Sequence, residues 1–392
     1  MISYSGLDFF ISAFLLVIPA VILFFIKRKP YYPAAFFSMA MLGLWLVTRK
    51  PGTFLFFGFY LFYQYYLVRT ILNLRTKSGT KVNRFYFFIA AAILPLVLFK
   101  VISVTGLAKQ DVFGELFSSP MGFMGISYLT FRVLQLLFEI QDGIIQKVLF
   151  FRFFLFITFF PALTSGPIDR SRRFETDLDT TFSVRDIINM LNAGLAKISL
   201  AFLYKFILGH LVYTYWLTRP IPGITGLMNK ISITYAYSAY LFFDFAGYSL
   251  FAIGFSNLVG ISLPRNFNVP FLSRNIKDFW QRWHMSLSFW FRDFVFMRFV
   301  LWQRRKEFIR NRLYLAMAGY FITFSLMGCW HGLQWNFILY GLYHGILMAL
   351  YELYEKKIKK KGVFQRFPIP GIVAWLITFN AICFSFRIFY GW

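Results

Sequence analysis

The chain has few cysteines, few acidic residues and few histidines. Its 392 residues include two cysteines, Cys329 and Cys383, both within apolar stretches. Two isolated cysteines exclude a disulfide framework and a cysteine-rich metal site. Aspartate and glutamate contribute 16 residues against 41 lysines and arginines, which leaves a net charge of +25. Since there are four histidines in all, each can be assessed individually as a candidate for chemistry.

The motifs of several enzyme classes are missing as well. The sequence contains no Walker A loop, no GxGxxG stretch between a strand and a helix, and no GxSxG nucleophile elbow. ATP hydrolysis and serine-hydrolase chemistry are therefore unsupported. The histidines are scattered along the chain, so their spacing does not suit a metal ion.

Apolar side chains are what the sequence has in excess. Hydrophobic residues make up 58% of the chain, phenylalanine alone contributes 55, and the mean hydropathy is +0.60. A soluble domain of this length could not bury so much apolar surface in one core, whereas lipid solvates the outer faces of membrane helices. Runs of roughly 20 apolar residues, enough to cross a bilayer, recur along the chain. The sequence thus predicts an all-α polytopic membrane protein, with residues 1–392 forming a single integral membrane domain.

The positions of the basic residues predict the topology of the first spans. The apolar run at 7–26 is followed by the basic residues 27–29 and shows no cleavage site, so we expect a retained first span with its N-terminus outside. Because the cations lie in short loops, they favour anionic lipid headgroups or an acidic cytosolic protein as partners, and nucleic acid is not expected. The other predicted features of this part are an outer turn at 49–52, a basic cytosolic loop at 75–81, and spans at 31–48, 53–74 and 85–104.

The middle of the chain carries charge at membrane depth. The segment 120–142 contains Arg132, which we expect to face the protein interior or a water-filled cavity because a charge in lipid is costly. A polar break at 164–170 interrupts the apolar pattern and is followed by an amphipathic stretch. The pattern indicates re-entrant segments and leaves open the side of the membrane on which residues 143–186 lie.

Two apolar runs in the last third predict a helical hairpin. The runs 313–330 and 333–354 lie between the basic clusters 304–312 and 356–361. If both clusters are cytosolic, the turn between the runs faces outward. His331 lies in that turn.

The segment 278–299, which precedes this hairpin, differs from the other apolar stretches. It combines many aromatic residues with several charges, too many for a span that faces lipid. We expect it to lie at an interface or to line a cavity. A final span covers about 370–390.

The four histidines differ in context. His210 and His344 lie in apolar or small-residue helical stretches, where a packing role is favoured. His284, within WQRWHMS, and His331, within GCWHGLQW, are the candidates for catalysis, because imidazole is the usual general base for a hydroxyl nucleophile. A thiol nucleophile at Cys329 is disfavoured, since side chains two residues apart on a helix point about 200° apart.

Five sequence blocks carry a resemblance to a known family. They are GISYLTFR at 125–132, TSGPIDR at 164–170, FFDFAGYS at 242–249, a longer stretch from 264 to 299, and WHG at 330–332. On these blocks the chain resembles the membrane-bound O-acyltransferases. The resemblance implies a family core at about 120–350, preceded by N-terminal spans at 1–118 that match in hydropathy alone.

The resemblance implies a fold and a set of site residues. The expected fold is a ring of roughly 11 to 12 transmembrane helices, with shorter re-entrant or interfacial helices, around a central tunnel. His331 falls on the catalytic histidine of the WHG block, and His284 falls on a second position that is histidine or asparagine in different members. Further candidates for tunnel or structural roles are Trp283, Trp330, Asn336, Asp244 and Arg132.

Among the members of this family, the chain looks most like the branch that transfers D-alanine in Gram-positive bacteria. That branch takes D-alanine as a thioester on the phosphopantetheine arm of a small acidic carrier protein in the cytosol. It delivers D-alanine to hydroxyls of lipoteichoic acid outside, which implies a plasma-membrane location. The chain would need no cofactor beyond that arm, His331 would be the general base, and other membrane proteins of the D-alanylation system are further candidate partners.

Carrier docking is predicted at the stretch that leads into the basic residues 304–306. Met297 and Val300 offer apolar side chains beside the positive Arg298, which suits an acidic partner by charge complementarity. Packing of Met297 and Val300 against neighbouring helices is the alternative.

Two other functions stay open from the sequence. An O-acetyltransferase that modifies an exopolysaccharide hydroxyl would share the same blocks. A secondary transporter or flippase would also be polytopic, but internal repeats are expected of such proteins and the sequence shows none.

Overall fold

The computed structural model describes residues 6–47, 51–78, 82–105, 125–164, 166–219, 223, 225–358 and 371–391. Over these ranges the chain is helical and forms no β-strand. The main α-helices are α1 Leu7–Lys27, α2 Tyr31–Val47, α3 Pro51–Ser78, α4 Val82–Thr105, α5 Ile126–Gln141, α6 Phe150–Thr158, α7 Ser171–Asp179, α8 Val184–Phe202, α9 Gly226–Leu258, α10 Ile276–Trp280, α11 Met285–Phe291, α12 Met297–Lys306, α13 Arg312–His331, α14 Trp335–Leu353 and α15 Gly371–Tyr390.

Seven helices among the described residues are long and apolar enough to cross a membrane. They are α1, α4, α8 with its π-helical continuation to Leu217, α9, α13, α14 and α15. The predicted all-α, multi-pass membrane class is therefore confirmed. The ring of roughly 11 to 12 spans and its central tunnel stay predictions.

Two predicted loops prove to be partly helical. Pro51 and Gly52 were expected in an outer turn but begin α3, because proline is pre-organised for the first helical position. Residues 75–78 were expected in a loop but form the last turn of α3, where the Arg75 guanidinium donates to the carbonyl of Gln141. The remaining parts of these two features, 49–50 and 79–81, lie outside the described residues, as do Ser165 and the basic residues 359–361.

The chain divides into two compact units. Unit 1 comprises Met1–Ala201 with Tyr248–Pro264, and unit 2 comprises Phe202–Gly247 with Arg265–Trp392. In unit 1, α5 is buried along nearly its whole length, which explains why a helix outside the lipid-facing set can hold Arg132. The guanidinium of Arg132 donates to the carbonyls of Phe156 and Ile157, both at 2.8 Å, and to that of Ala162.

Contacts within unit 1 locate parts of the segment 143–186, for which the sequence left the side of the membrane open. The carbonyl of Arg28, just after α1, accepts a hydrogen bond of 2.9 Å from the amide of Phe182. The contact of Arg75 with Gln141 ties the start of the 141–148 segment to the end of α3. Residues 179–182 therefore lie near the C-terminal end of α1, and residues 141–148 lie near the C-terminal end of α3. Each of these helix ends is followed by basic residues in the sequence.

In unit 2, α13 and α14 form the hairpin that the sequence predicts. Their backbones touch where Gly328 faces Gly341, and a Cβ on Gly328 would lie 2.9 Å from the Cα of Gly341. Small residues at such a crossing allow close helix packing. His331 is the last residue of α13, at the end of the hairpin opposite Arg312. The outward orientation of this end stays a prediction.

The segment between α9 and α13 is broken into pieces too short to cross a bilayer. Helices α10 and α11 contain five and seven residues, and a π-helical turn at Arg292–Phe296 joins α11 to α12. This segment supplies most of the lining of a cavity of about 230 Å³ within unit 2. Several residues of the segment 278–299 thus line a cavity, which is one of the two locations that the sequence favours.

Candidate active site

His331 lies at the C-terminal end of α13 among aromatic rings. Its ring centroid is 4.7 Å from that of Trp330, 5.2 Å from Phe389 and 5.9 Å from Tyr340. The side chain is half-buried, so its imidazole is accessible to a reactant. Gly332 follows it, and any Cβ there would come within 2.7 Å of the Phe337 ring. The tight turn after His331 thus requires glycine.

His284 lies in the short connection between α10 and α11. Its backbone is left-handed, with φ 44° and ψ 50°, a conformation that costs roughly 1–3 kcal/mol outside glycine. Asn266 stabilises the turn, since its backbone carbonyl accepts from the amide of Met285 at 2.9 Å. The side-chain oxygen of Asn266 also accepts from the Ser286 hydroxyl at 2.6 Å. A strained residue that its neighbours hold in place is typical of a functional site.

The His284 imidazole is buried and neutral. Its side chain is 3% exposed, and the Phe245 ring lies edge-on to it at 4.7 Å. Burial, and to a smaller extent the proximity of His331, lower the pKa of His284 to about 3. The Nδ1 atom of His284 is buried and has no hydrogen-bond partner within the described ranges. A buried polar atom of this kind is available to a bound reactant.

His344 proves to be part of the same cluster, which its sequence context did not indicate. It is completely buried in α14, and its Nδ1 accepts a hydrogen bond of 3.3 Å from Nε1 of Trp280. This bond places the proton of the neutral ring on Nε2. The Tyr340 ring, one helical turn away, lies 4.6 Å from the His344 ring and also touches His331. His344 thus packs against Tyr340, which in turn contacts His331.

His210 differs from the three clustered histidines. It is exposed, and its Nε2 lies 3.4 Å from the hydroxyl of Thr214 on the next turn of the same helix. The packing role favoured for His210 stays a prediction. The spacing of Tyr340 and His344, four residues apart on one helix face, is the signal that could have linked His344 to His331.

The other predicted tunnel or structural residues have different surroundings. Trp283 is buried, with its ring 4.8 Å from Phe386. Asn336 donates to the carbonyl of Phe389 at 2.8 Å and so fixes a ring that touches His331. Asp244 forms an ion pair with Lys205. Arg132 belongs to unit 1, where its hydrogen bonds to backbone carbonyls give it a structural role.

The predicted docking residues lie beside the cavity of unit 2. Met297 is 43% exposed and lines the cavity, whereas Val300 and Arg298 are half-buried on the same helix. The walls are mainly aromatic and methionine side chains, and Lys277 and Arg292 supply positive charge. No group of three or more metal-ligating side chains occurs among the residues that the structure describes.

Comparison with known proteins identifies the family. The model of the MBOAT, membrane-bound O-acyltransferase family, matches residues 41–390. The chain belongs to the membrane-bound O-acyltransferase family. It is therefore a multi-pass membrane transferase, and the transporter alternative loses its basis.

Individual relatives of this acyltransferase refine the comparison. A teichoic acid D-alanyltransferase of Bacillus subtilis is 42% identical, over 100% of this chain and 98% of the relative. A teichoic acid D-alanyltransferase of Streptococcus thermophilus is 37% identical, over 99% and 94% of the two chains. A peptidoglycan O-acetyltransferase of Helicobacter pylori is 33% identical, but over 59% of this chain and 42% of the relative. The full-length similarity is thus to enzymes named for D-alanyl transfer.

Proposed function

We propose that this acyltransferase transfers D-alanine from the phosphopantetheine thioester of an acidic carrier protein to hydroxyls of lipoteichoic acid. The observation that carries the proposal is the pairing of a half-buried His331 with a neutral, buried His284. This pairing occurs in a chain similar over its whole length to teichoic acid D-alanyltransferases.

His331 acts as the general base in this reaction. It takes the proton of an acceptor hydroxyl as the hydroxyl oxygen attacks the thioester carbonyl, the new C–O bond forms and the C–S bond breaks. The departing thiolate recovers the proton and leaves as the free thiol of the carrier arm. Because a thioester is already activated, no covalent enzyme intermediate is needed, and the main contribution of the protein is to hold both reactants in place.

His284 and His344 support His331 in different ways. His284 is neutral and has an unpaired Nδ1, so it hydrogen-bonds and orients a reactant without competing for the proton. His344 acts through Tyr340, whose ring contacts both His344 and His331. Trp280 fixes the tautomer of His344 and thereby the rings against which His331 rests.

The cavity beside Met297 receives the carrier arm. Its apolar walls suit the chain of the arm. Its two cations are already paired, Lys277 with Glu352 and Glu355 at 2.5 and 2.6 Å and Arg292 with Asp293 at 2.8 Å, so the apolar walls carry this part of the proposal. The exposed Met297, with Val300, then contacts the carrier on the cytosolic side, where the positive-inside rule puts the basic residues 304–306. By the same rule the N-terminus of the chain is extracellular. An acceptor outside the cell puts the protein in the plasma membrane.

Transfer of labelled D-alanine tests the assignment of the base. Membranes that contain the wild type or His331→Ala are given carrier loaded with labelled D-alanine, and label in lipoteichoic acid is measured. We expect His331→Ala to lose at least a hundredfold in rate, the lower end of the usual contribution of a general base. His210→Ala is the matched control and should retain the wild-type rate. Undiminished transfer by His331→Ala would reject the assignment.

Carrier binding is tested separately from catalysis. Met297→Asp and Val300→Asp place negative charge where the acidic carrier docks, and we expect each to weaken carrier capture by immobilised protein about tenfold. Trp335→Asp, at a more exposed apolar position at the His331 end of the hairpin, should leave capture unchanged. Equal capture by all three variants would reject this docking surface.

An O-acetyltransferase is the second candidate function, because the Helicobacter pylori relative is named for that reaction. The transfer assay distinguishes the two when labelled acetyl donors replace the D-alanyl carrier. Incorporation of acetyl groups into polysaccharide, without D-alanine in lipoteichoic acid, would replace the first proposal with the second.

A further inference from the structure

A second cavity lies in unit 1, apart from the histidine cluster and its surroundings. Its volume is about 310 Å³, and it is formed by α5, α6, α7 and the connection at 144–148. The connection between α5 and α6 contributes Lys147, and α6 and α7 contribute Arg152, Arg172 and Glu175. Nothing in the proposed transfer reaction uses this cavity.

The cavity carries an excess of positive charge. Arg152 is engaged by Asp179 through two contacts of 2.7 and 2.5 Å and by Glu175 at 3.5 Å. Lys147 and Arg172 are exposed and form no salt bridge with any residue of the described ranges. Two cations therefore face the cavity without an ion pair, and Arg172 attracts the buried Glu139 carboxylate only at longer range. This arrangement favours an anionic ligand.

The floor of the same cavity is apolar. Leu136, Val148, Phe153 and Phe156 line it and are buried. Just outside it, Phe151 is 73% exposed. In a membrane protein, exposed aromatic side chains next to cations are typical of the boundary between acyl chains and headgroups. The ligand that fits this combination has an anionic group and an apolar tail.

The depth of the cavity agrees with such a ligand. Its connection at 144–148 begins beside Arg75, and its α7 wall ends close to Arg28 through the contact of Phe182. Both arginines lie at helix ends that basic loops follow, which the positive-inside rule assigns to the cytosolic surface. The cavity is thus at the level of the cytosolic headgroups.

We propose that this cavity binds an anionic glycerophospholipid of the cytosolic leaflet. Lys147 and Arg172 contact the headgroup phosphate, and the glycerol backbone and the first acyl carbons lie on the floor formed by Phe153 and Phe156. The acidic surface of a protein partner would use the two cations but would leave the apolar floor unfilled. A lipid uses both parts of the cavity.

Lipid retention on the purified protein tests this proposal. The protein is transferred to detergent with a defined mixture of phosphatidylglycerol and phosphatidylcholine, and bound lipid is counted by native mass spectrometry. We expect the wild type to retain phosphatidylglycerol and the double variant Lys147→Gln/Arg172→Gln to retain at least fivefold less. A control of equal charge change, Arg185→Gln/Lys230→Gln at two exposed positions outside the cavity, should behave as the wild type.

Other outcomes of the same experiment would overturn the proposal. Equal retention of phosphatidylglycerol by the Lys147/Arg172 variant and the control would do so. Full displacement of the lipid by millimolar inorganic phosphate would mean that the site recognises phosphate alone. Loss of carrier binding by the variant, with lipid retention intact, would assign the surface to a protein partner. Phe153→Asp, which alters the floor and leaves both cations, should also lower retention, and unchanged retention would equally reject a lipid.

Discussion

Each unit contains one break in its apolar helices, and the two breaks differ in how their buried polar groups are hydrogen-bonded. In unit 1 the carbonyls of Phe156, Ile157 and Ala162 around the break after α6 are paired, since both terminal nitrogens of Arg132 donate to them. The Nε atom of Arg132 has no hydrogen-bond partner among the described residues. The Asp169 carboxylate in that break accepts from Arg173 at 2.8 Å. In unit 2 the break before α11 contains His284, which has a left-handed backbone and a buried Nδ1 without a partner in the described residues.

The difference teaches how to distinguish a structural polar group from a functional one inside a membrane protein. A buried charge that donates several hydrogen bonds to backbone carbonyls stabilises the break that it bridges. A buried imidazole nitrogen without a partner, close to a second histidine, is available to a reactant, at some cost in stability. Substitutions at Arg132 should therefore affect folding, and substitutions at His284 should affect catalysis.

The largest effect is expected for Arg132→Met. This substitution leaves the carbonyls of Phe156 and Ile157 unpaired in a buried place and removes a positive charge near Asp169. Breaking a buried, hydrogen-bonded charge of this kind costs about 3–5 kcal/mol. Denaturation in detergent should show the loss, while transfer per folded molecule stays close to wild type. A stable variant with reduced turnover would contradict the structural role.

The next effect is expected for His284, and it concerns the transfer rate rather than stability. His284→Leu removes the neutral polar group beside His331, and we expect transfer to fall about a hundredfold with little loss of stability. His284→Asn should keep the rate within about tenfold, because asparagine tolerates a left-handed backbone and supplies a hydrogen-bonding amide. Transfer rates and melting temperatures of both variants are compared. Equal rates for His284→Leu and the wild type would place His284 in the same class as Arg132.

The sequence predicted the class and the helical hairpin for local reasons, and the family resemblance of short blocks singled out His284 and His331. Long apolar runs, basic loops and the WHG turn can each be recognised within a short stretch of sequence. The role of Asn266 was not predictable in this way, because it holds the turn of His284 from 18 residues away in an irregular segment. The pairing of Trp280 with His344 was likewise hidden, since it joins two helices 64 residues apart.

The two breaks were also unequally predictable. Proline and glycine at 161–167 mark the first break in the sequence, whereas the second contains aromatic residues that would suit a continuous helix. It is the contacts of Asn266 and the left-handed His284 that interrupt the helix there. The backbone conformation at His284 therefore depends on tertiary contacts, which override the helical preference of the local sequence.

A smaller effect is expected for His344→Phe, which keeps the ring shape and removes the acceptor for Trp280. We expect turnover to fall about tenfold with little change in the KM for the carrier, because His344 touches the neighbours of His331 and not the reactants. His344→Asn restores an acceptor near the position of Nδ1 and should recover most of the loss. If both variants lose turnover equally, the hydrogen bond from Trp280 is not what positions His331.

The smallest effect concerns pH and distinguishes the proposed general base from the neutral His284. Transfer should decline as the pH falls, because a protonated His331 cannot accept the hydroxyl proton. The folded pKa of His284, about 3, lies below its ordinary value of 6.5, so His284 stays neutral over this decline. By linkage, its contribution to stability is complete above about pH 6.5 and is lost as the pH falls from there toward 3.

Rates are therefore measured from pH 5 to 8 with a melting curve at each pH. His284→Asn should lower the plateau of the profile and leave its midpoint in place. A shift of that midpoint by one unit would show that His284, and not His331 alone, exchanges the proton.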